Sequence, residues 1–190
     1  MEKIFQEEIM AIVPKYVDSK GNCTVLHRKD LDLLVLDKTI RTVIRLVGKH
    51  YMMDLNSMKE RYSPLLSSRN LIPIPLSRKD ILIPFKTRVP MYKNDGAFSY
   101  VNMKYIRDIK KNHKTTTLIL EDGLEIDCLS TIDTVNKHIR NGKIISRCYE
   151  DRYMGVGESE VHYNSLIPAS KADIEMLNRK LEEIVRKRRD

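Results

Sequence analysis

The stretch from Thr115 to Ser130, TTTLILEDGLEIDCLS, constrains the fold most strongly, because it predicts a β-hairpin. Two runs alternate between apolar and polar residues, and Asp122-Gly123 lies between them. Asp-Gly is a preferred two-residue hairpin turn, with positive φ at both positions. The predicted core side is formed by Leu118, Leu120, Leu124, Ile126 and Cys128, and the predicted solvent side by Glu125 and Asp127.

The first third of the chain contains three further predicted strands. Ile9 to Val17 is an apolar run with β-branched residues, and DSKGN after it supplies turn residues. Cys23 to Leu26 is predicted to return as its partner, and Leu33 to Leu36 is another short strand. Because proline cannot donate to a β-ladder, Pro14 predicts that the first strand lies at a sheet edge.

Leu71 to Phe85, LIPIPLSRKDILIPF, is excluded from helix by its three prolines. Ile72, Ile74 and Leu76 occupy every second position, so their side chains point to one side of an extended chain. The segment is predicted to be an edge strand or a polyproline segment packed on a core.

Three helices are predicted from apolar spacing and capping residues. The first covers Lys38 to Val47, with Asp37 as its cap and Gly48 as its stop. The second follows Ser130, with Asp133 in a capping box, and ends at Asn141-Gly142. The third covers residues 170–189.

On the first helix, Arg41 and Arg45 share a face that is either simply solvated or directed at DNA.

These elements predict an α+β fold, a mainly antiparallel β-sheet with about three packed helices, in a single domain of residues 1–190. In the C-terminal helix 170–189, Ile174, Leu177, Leu181 and Ile184 form a narrow apolar stripe. This stripe predicts either a dimerisation or docking element or packing on its own domain.

The charge and the cysteines limit the environment and the partners. The net charge is +8 and the pI is about 9.3, which favours nucleic acid or an anionic surface as a partner. Cys23, Cys128 and Cys148 are widely spaced and odd in number, as is typical of a reducing cytoplasm. We found no signal peptide or membrane-spanning run, so a cytoplasmic location is expected.

The sequence contains no strong catalytic, cofactor or metal motif. GVGES at 155–159 lacks the strand and helix context of a dinucleotide site. Glu158, Glu160 and His162 share one face of an extended segment, and with no second cluster they predict an exposed polar strand. We interpret Cys23 and His27 as structural. We therefore expect no enzyme activity, no metal and no cofactor, although catalytic residues need not be close in sequence.

The distribution of basic residues is more informative than their number. The segment from Lys104 to Lys114 contains five Lys or Arg residues and one histidine but only one Asp. Acidic residues are concentrated instead on the second hairpin strand. This pattern predicts a basic and an acidic face of one sheet, the basic one for phosphates. The predicted DNA-contacting residues are Arg78, Lys79, Lys86, Arg88, Asn102, Lys104, Tyr105, Arg107, Lys110, Lys111, His113 and Lys114.

An ordered series of segments resembles the ComK family, the competence transcription factors of Gram-positive bacteria. The segments are EEIMAIVPKYVDSKGN, the helix entering Gly48-x-x-Tyr51, LSSRNLIPIPLSRKDILIPFKT, AFSYVNMKYIRDIK, the hairpin with LSTIDTVNKHI, and the helix after Leu166-Ile167-Pro168. A shorter likeness, SYVNMKYI…LEDGLEI, is similar to LytTR DNA-binding domains. No single motif is diagnostic, and the collinear order carries the resemblance.

The resemblance to ComK implies a transcriptional activator that binds paired A/T-rich boxes of double-stranded DNA as dimers, partly through the minor groove. It also implies control by adaptor-guided proteolysis, with Tyr163 to Pro168 as the expected adaptor contact. The alternative is a protein-interaction or adaptor module that uses the C-terminal helix. A nuclease with scattered acids is a third, weaker interpretation.

Overall fold

The computed structural model describes residues 2–30, 32–66 and 70–154, in which nine strands form two antiparallel sheets. The larger sheet contains β1 (Ile9–Val17), β2 (Gly21–Arg28), β3 (Leu34–Leu36), β4 (Ile74–Pro75), β5 (Ile81–Lys86) and β6 (Phe98–Asn102). Its strand order is β3-β2-β1-β6-β5-β4. The smaller sheet contains β7 (Ile106–Asn112), β8 (Thr115–Leu120) and β9 (Glu125–Cys128), in that order.

Three α-helices pack on these sheets: α1 (Ile40–His50), α2 (Leu55–Tyr62) and α3 (Ile132–Met154). Side chains of the larger sheet alternate between two cores, as the strand period of two requires. On one face, Ile12 and Leu82 pack with Val43 of α1. On the other, Ile83 and Val101 pack with the smaller sheet and α3. The α+β fold with a mainly antiparallel sheet is therefore confirmed.

The two predicted strands of the first hairpin, β1 and β2, are confirmed. The prediction that β1 lies at a sheet edge is wrong. The strand lies between β2 and β6. Its pairing with β6 covers only Ala11 and Ile12, so Pro14 lies beyond the last paired residue on that side. The proline therefore costs no ladder hydrogen bond to β6, although the strand is internal.

The β8–β9 hairpin forms with the predicted core and solvent sides, but its turn is longer than predicted. The Gly123 amide donates to Leu120 O at 3.0 Å, and the Leu120 amide donates to Leu124 O at 2.9 Å. Only Gly123 has a positive φ, +85°. The connection is thus a three-residue loop with glycine in the left-handed position, which forms a bulge.

The proline-rich segment forms two strands rather than one. β4 is the edge strand of the larger sheet, and β5 is internal, between β4 and β6. Ile72, Ile74 and Leu76 are all buried, as their common side predicts. Arg78 and Lys79 lie in the connection between β4 and β5.

The first helix begins and ends later than predicted. Thr39 is its N-cap and accepts a hydrogen bond from the Thr42 amide, whereas Asp37 forms an ion pair with Lys20 at 3.1 Å. Gly48 is a buried helical residue and not a stop, since a Cβ there would lie 3.1 Å from Leu55 Cγ. The following helix α2, capped by Asp54, was missed because its apolar face is narrow.

Helix α3 is the largest departure from the prediction. It begins at Ile132 rather than directly after Ser130, and it continues through Asn141-Gly142 to Met154. Gly142 is buried against β5, and a Cβ there would lie 2.7 Å from Ile83 Cδ1 and 3.3 Å from Met103 Sδ. The glycine permits close packing of helix on sheet, which the local Asn-Gly pattern does not reveal.

Several predicted features lie outside the described residues. They are the helix 170–189 with its apolar stripe, the residues Glu158, Glu160 and His162, and the expected adaptor contact at Tyr163 to Pro168. Glu150, which lies beyond the predicted end of the second helix at Asn141-Gly142, belongs to α3.

The contact at Gly142 predicts an asymmetry between neighbouring substitutions in α3. Gly142→Val places methyl groups against Ile83 and Met103, and we expect it to lower the free energy of unfolding by about 1–3 kcal/mol more than Lys143→Val. Lys143 is exposed, so valine meets no packed neighbour at that position. Valine is a better helix former than glycine and a poorer one than lysine, so helix propensity alone would favour the Gly142→Val variant and cannot cause the expected loss. Urea unfolding of both variants measures the difference. Equal stabilities would contradict the close packing.

Candidate nucleic-acid interface

The predicted cluster on β7 does not form one basic face. Lys110 and Lys111 are consecutive strand residues, so their side chains point to opposite faces of the sheet. Lys110 forms an ion pair with Glu125 of β9 at 3.5 Å, across β8. The predicted separation of a basic from an acidic face of this sheet is therefore wrong, because the two charges share its outer face.

Asn102 and Tyr105, predicted as specificity contacts, are buried. Each is 1% exposed. The Asn102 amide donates to Ile9 O and to Asp80 Oδ1, both at 3.0 Å, and the Tyr105 hydroxyl donates to Glu8. Both side chains join β1, the β4–β5 turn and the start of β7, so they support the fold and do not reach a duplex.

Lys104 is engaged in the same network. Its ammonium donates to Glu8 Oε1 at 2.9 Å. Hydrogen bonds from Tyr105 and then from Lys104 lower the pKa of Glu8 to about 2. Burial, followed by the hydrogen bond to Glu8, raises the pKa of Tyr105 to about 12. The charge of Lys104 is thus largely balanced within the protein.

Arg88 is also structural. Its Nε donates to Gly96 O at 2.7 Å, and Nη2 donates to Asn22 Oδ1 at 2.7 Å. The guanidinium carbon lies 4.3 Å from the centroid of the Tyr16 ring. These contacts fix the β5–β6 loop on the β1–β2 hairpin, and they leave the guanidinium little freedom for another partner.

The remaining predicted residues are exposed but form two groups at opposite strand ends. Arg78 and Lys79 precede β5, whereas Lys86 is its last residue, so about 20 Å separates them along the strand. The other exposed members divide in the same way along β7: Arg107 lies near its start, and Lys111, His113 and Lys114 lie at or beyond its end. The structure does not bring the predicted residues together in one patch.

Helix α3 carries a basic stripe that the sequence analysis missed. Asn136, Arg140, Lys143 and Arg147 are all exposed. At 3.6 residues per turn they fall within an arc of about 60° and span about 16 Å along the helix. We call Arg140, Lys143 and Arg147 the α3 stripe. The predicted helix end at Gly142 divided these residues between two elements and concealed their alignment.

Within the described part of the chain, the α3 stripe has little opposing charge nearby. From Thr134 to Tyr149 the chain contains no Asp or Glu. Among the described residues, no ion pair involves Arg140, Lys143 or Arg147. Like charges three and four residues apart weaken a helix by about 0.2–0.5 kcal/mol per pair. Among the described residues, no ion pair offsets this cost to helix stability.

The opposite side of α3 fixes the stripe in place. Val135 and Ile145 are fully buried. His138, 8% exposed, packs edge-on against Phe85 of β5 with ring centroids 6.0 Å apart. Burial and the neighbouring Lys137 lower the pKa of His138, so the imidazole is neutral at pH 7. The stripe is thus presented on a helix that is anchored from Val135 to Ile145.

Helix α1 carries a second basic line, formed by Arg41, Arg45 and Lys49, all exposed. It lies on the other face of the larger sheet from α3. Lys49 and His50 occupy the last helical turn, where cations are favoured by the helix dipole. The α3 stripe lies mid-helix, where the dipole offers no such explanation, so α3 is the stronger candidate for a polyanion.

Comparison of the chain with models of known families, with curated proteins and with solved structures finds no significant match. Within the described part of the chain, no group of three or more His, Cys, Asp or Glu residues is arranged to hold a metal ion. No helix of the same residues combines the length and apolarity needed to cross a membrane. The functional assignment therefore depends on the surface chemistry and the resemblance.

The neutral, buried state of His138 predicts a pH dependence of stability. The pKa of His138 in the folded protein lies below the usual 6.5. Its stabilising contribution to folding is therefore fully present above pH 6.5 and is lost as the pH falls through the folded pKa. We expect the free energy of unfolding to decrease from pH 7 to pH 5. Glu8, with a folded pKa of about 2 and an unfolded value of 4.5, acts only below this window.

Denaturant unfolding of wild type, His138→Leu and His113→Leu across these pH values measures the effect. Burial also lowers the pKa of His27, so His27 contributes a loss of stability in the same direction as the pH falls. We therefore expect some pH dependence of stability to remain in His138→Leu. The slope decreases in His138→Leu and is retained in His113→Leu, because His113 is exposed. A His138→Leu slope equal to that of wild type would contradict the assignment.

Proposed function

We propose that this protein is a sequence-specific, DNA-binding transcriptional regulator, and that the α3 stripe contacts the phosphate backbone. The observation that carries the proposal is the anchored, unbalanced row of Arg140, Lys143 and Arg147. Lys and Arg that neutralise phosphates release condensed counterions, which supplies affinity at low salt. Long-range attraction from the net charge of +8 adds to the association rate.

The geometry of α3 is compatible with a duplex. An α-helix with side chains is about 10–12 Å wide, close to the width of the major groove of B-DNA, and it also reaches phosphates from outside a groove. Phosphate contacts fix position and register, whereas base contacts specify sequence. Asn136, at the end of the stripe, is exposed and offers an amide suited to a base edge.

The resemblance to ComK supports the finer features of the proposal. These are activation of transcription, dimers, and paired A/T-rich boxes with partial minor-groove recognition. Narrow A/T minor grooves attract inserted Arg and Lys, and exposed cations at both ends of β7 suit such contacts. We include control by a proteolytic adaptor in the proposal, and we propose no catalytic activity and no cofactor.

The alternative function, an interaction module that uses the helix 170–189, rests on residues outside the described part of the chain. It is retained only as the outcome expected if the protein does not bind DNA.

Three triple alanine variants test which surface contacts DNA. They are Arg140/Lys143/Arg147 on α3, Arg41/Arg45/Lys49 on α1, and Lys110/Lys111/Lys114 on the smaller sheet. Each removes three positive charges from exposed positions, so all three lower the net charge equally, from +8 to +5. Any loss of affinity beyond that shared by all three variants is therefore local.

We expect the α3 variant to bind an A/T-box duplex about 100-fold more weakly than wild type, at about 1 kcal/mol per lost charged contact. The slope of log K against log salt should decrease by about 3. Fluorescence anisotropy across a salt series measures both. Equal losses in all three variants would contradict the role of α3, and no binding by wild type at low salt would contradict DNA binding itself.

A further inference from the structure

The two sheets enclose an open cleft between β9 and the β1–β2–β3 part of the larger sheet. The cleft has a volume of about 600 Å³. Its floor is apolar and comes from β1, β2 and β3, chiefly Val13, Val25 and Val35. Its wall is β9 with the preceding residue, Leu124 to Asp127.

The floor is exposed because no element of the described residues covers this part of the larger sheet. Leu33 and Val35 are 61% and 41% exposed, respectively. On the same face nearer β5, Ile83 and Val101 are fully buried beneath the smaller sheet and α3. An extended strand placed beside β9 would cover the open floor in the same way as β8 and β9 cover Ile83 and Val101.

The wall is an unpaired strand edge. Among the described strands, β9 is the last of the smaller sheet and pairs with β8 on one side only. The Leu120 amide donates to Leu124 O, and the Leu129 amide donates to Lys86 O, on the other side of β9. Because backbone groups alternate in direction along an antiparallel strand, Glu125 and Asp127 present their N–H and C=O groups to the cleft.

The charges around the cleft are mainly negative. Glu125 and Asp127 lie on the outer face of β9, and Asp18 lines the opposite rim, against one cation, Lys15. Lys110 partly balances Glu125. This surface repels a polyanion and is therefore distinct in chemistry from the α3 stripe. It favours a partner with positive charges beside its apolar anchors.

We propose that this cleft binds an extended segment of a partner protein that adds a strand to β9. The segment alternates apolar residues, which pack on Val13, Val25 and Val35, with Lys or Arg, which lie beside Glu125 and Asp127. Main-chain hydrogen bonds to an exposed edge provide affinity, and alternate side chains provide specificity. At four residues, β9 accommodates a segment of about four to six residues.

A second copy of this chain is a poorer occupant. Of the edge strands in the described part of the chain, the basic one is β7, with Arg107, Lys110 and Lys111. Its apolar residues, Ile106 and Ile109, already pack in the core beneath its own sheet. They cannot also fill the floor of another molecule's cleft.

The probe is a short synthetic peptide of alternating valine and lysine, with a valine–glutamate peptide of the same length as its control. We expect saturable binding of the lysine peptide, by anisotropy, and at least tenfold weaker binding of the glutamate peptide. Hydrogen exchange should slow at the amides of Glu125 and Asp127 when the lysine peptide binds.

The matched variants are Leu33→Arg, at the cleft, and Leu65→Arg, at another exposed leucine, 50% exposed, in a short 3₁₀ turn. We expect Leu33→Arg to weaken peptide binding at least tenfold and Leu65→Arg to leave it unchanged. The proposal is overturned by no binding at millimolar peptide, by equal losses in both variants, or by protection elsewhere. Protection of β9 through self-association, without peptide, would also overturn it.

Discussion

The close approach of α3 to β5 at Gly142 is the contact on which the rest of the structure depends. Without a side chain at this position, the helix lies near enough to Ile83 and Met103 to close the core beneath the smaller sheet. α3 is continuous across Asn141-Gly142, although glycine is common just after the end of a helix. Continuity in turn aligns Arg140, Lys143 and Arg147 on one exposed line.

The most basic stretch of the sequence does not form the most basic surface of the molecule. The run from Lys104 to Lys114 is the most basic part of the central chain, yet Lys104 is balanced by Glu8 and Lys110 by Glu125. By contrast, the exposed cations of α3 and α1 form aligned rows without an ion pair among the described residues, on opposite faces of the larger sheet. The acids gather at β9, beside an apolar cleft. One surface thus suits a polyanion and another suits a basic, extended peptide.

Local patterns predicted β1, β2, β3 and the β8–β9 hairpin, since alternation and turn residues are themselves local. β6 and β7 were not predicted as strands. The hairpin loop was one residue longer than predicted because Asp122 keeps a negative φ and only Gly123 adopts the left-handed conformation. The end of α3 was wrong because glycine serves both as a helix stop and as a packing contact, and only the tertiary partner, Ile83, distinguishes them. The burial of Asn102 and Tyr105 also depends on distant residues, Ile9 and Glu8, which the sequence does not place beside them.

Mapping the protein surface that contacts DNA is the most direct test of the central claim. Backbone resonances of the protein, recorded while an A/T-box duplex is added, report the contact site without any mutation. We predict that the largest shifts fall between Asn136 and Arg147. Shifts confined to Lys104 to Lys114, or to α1, would contradict the assignment to α3, and no shifts at low salt would contradict DNA binding altogether.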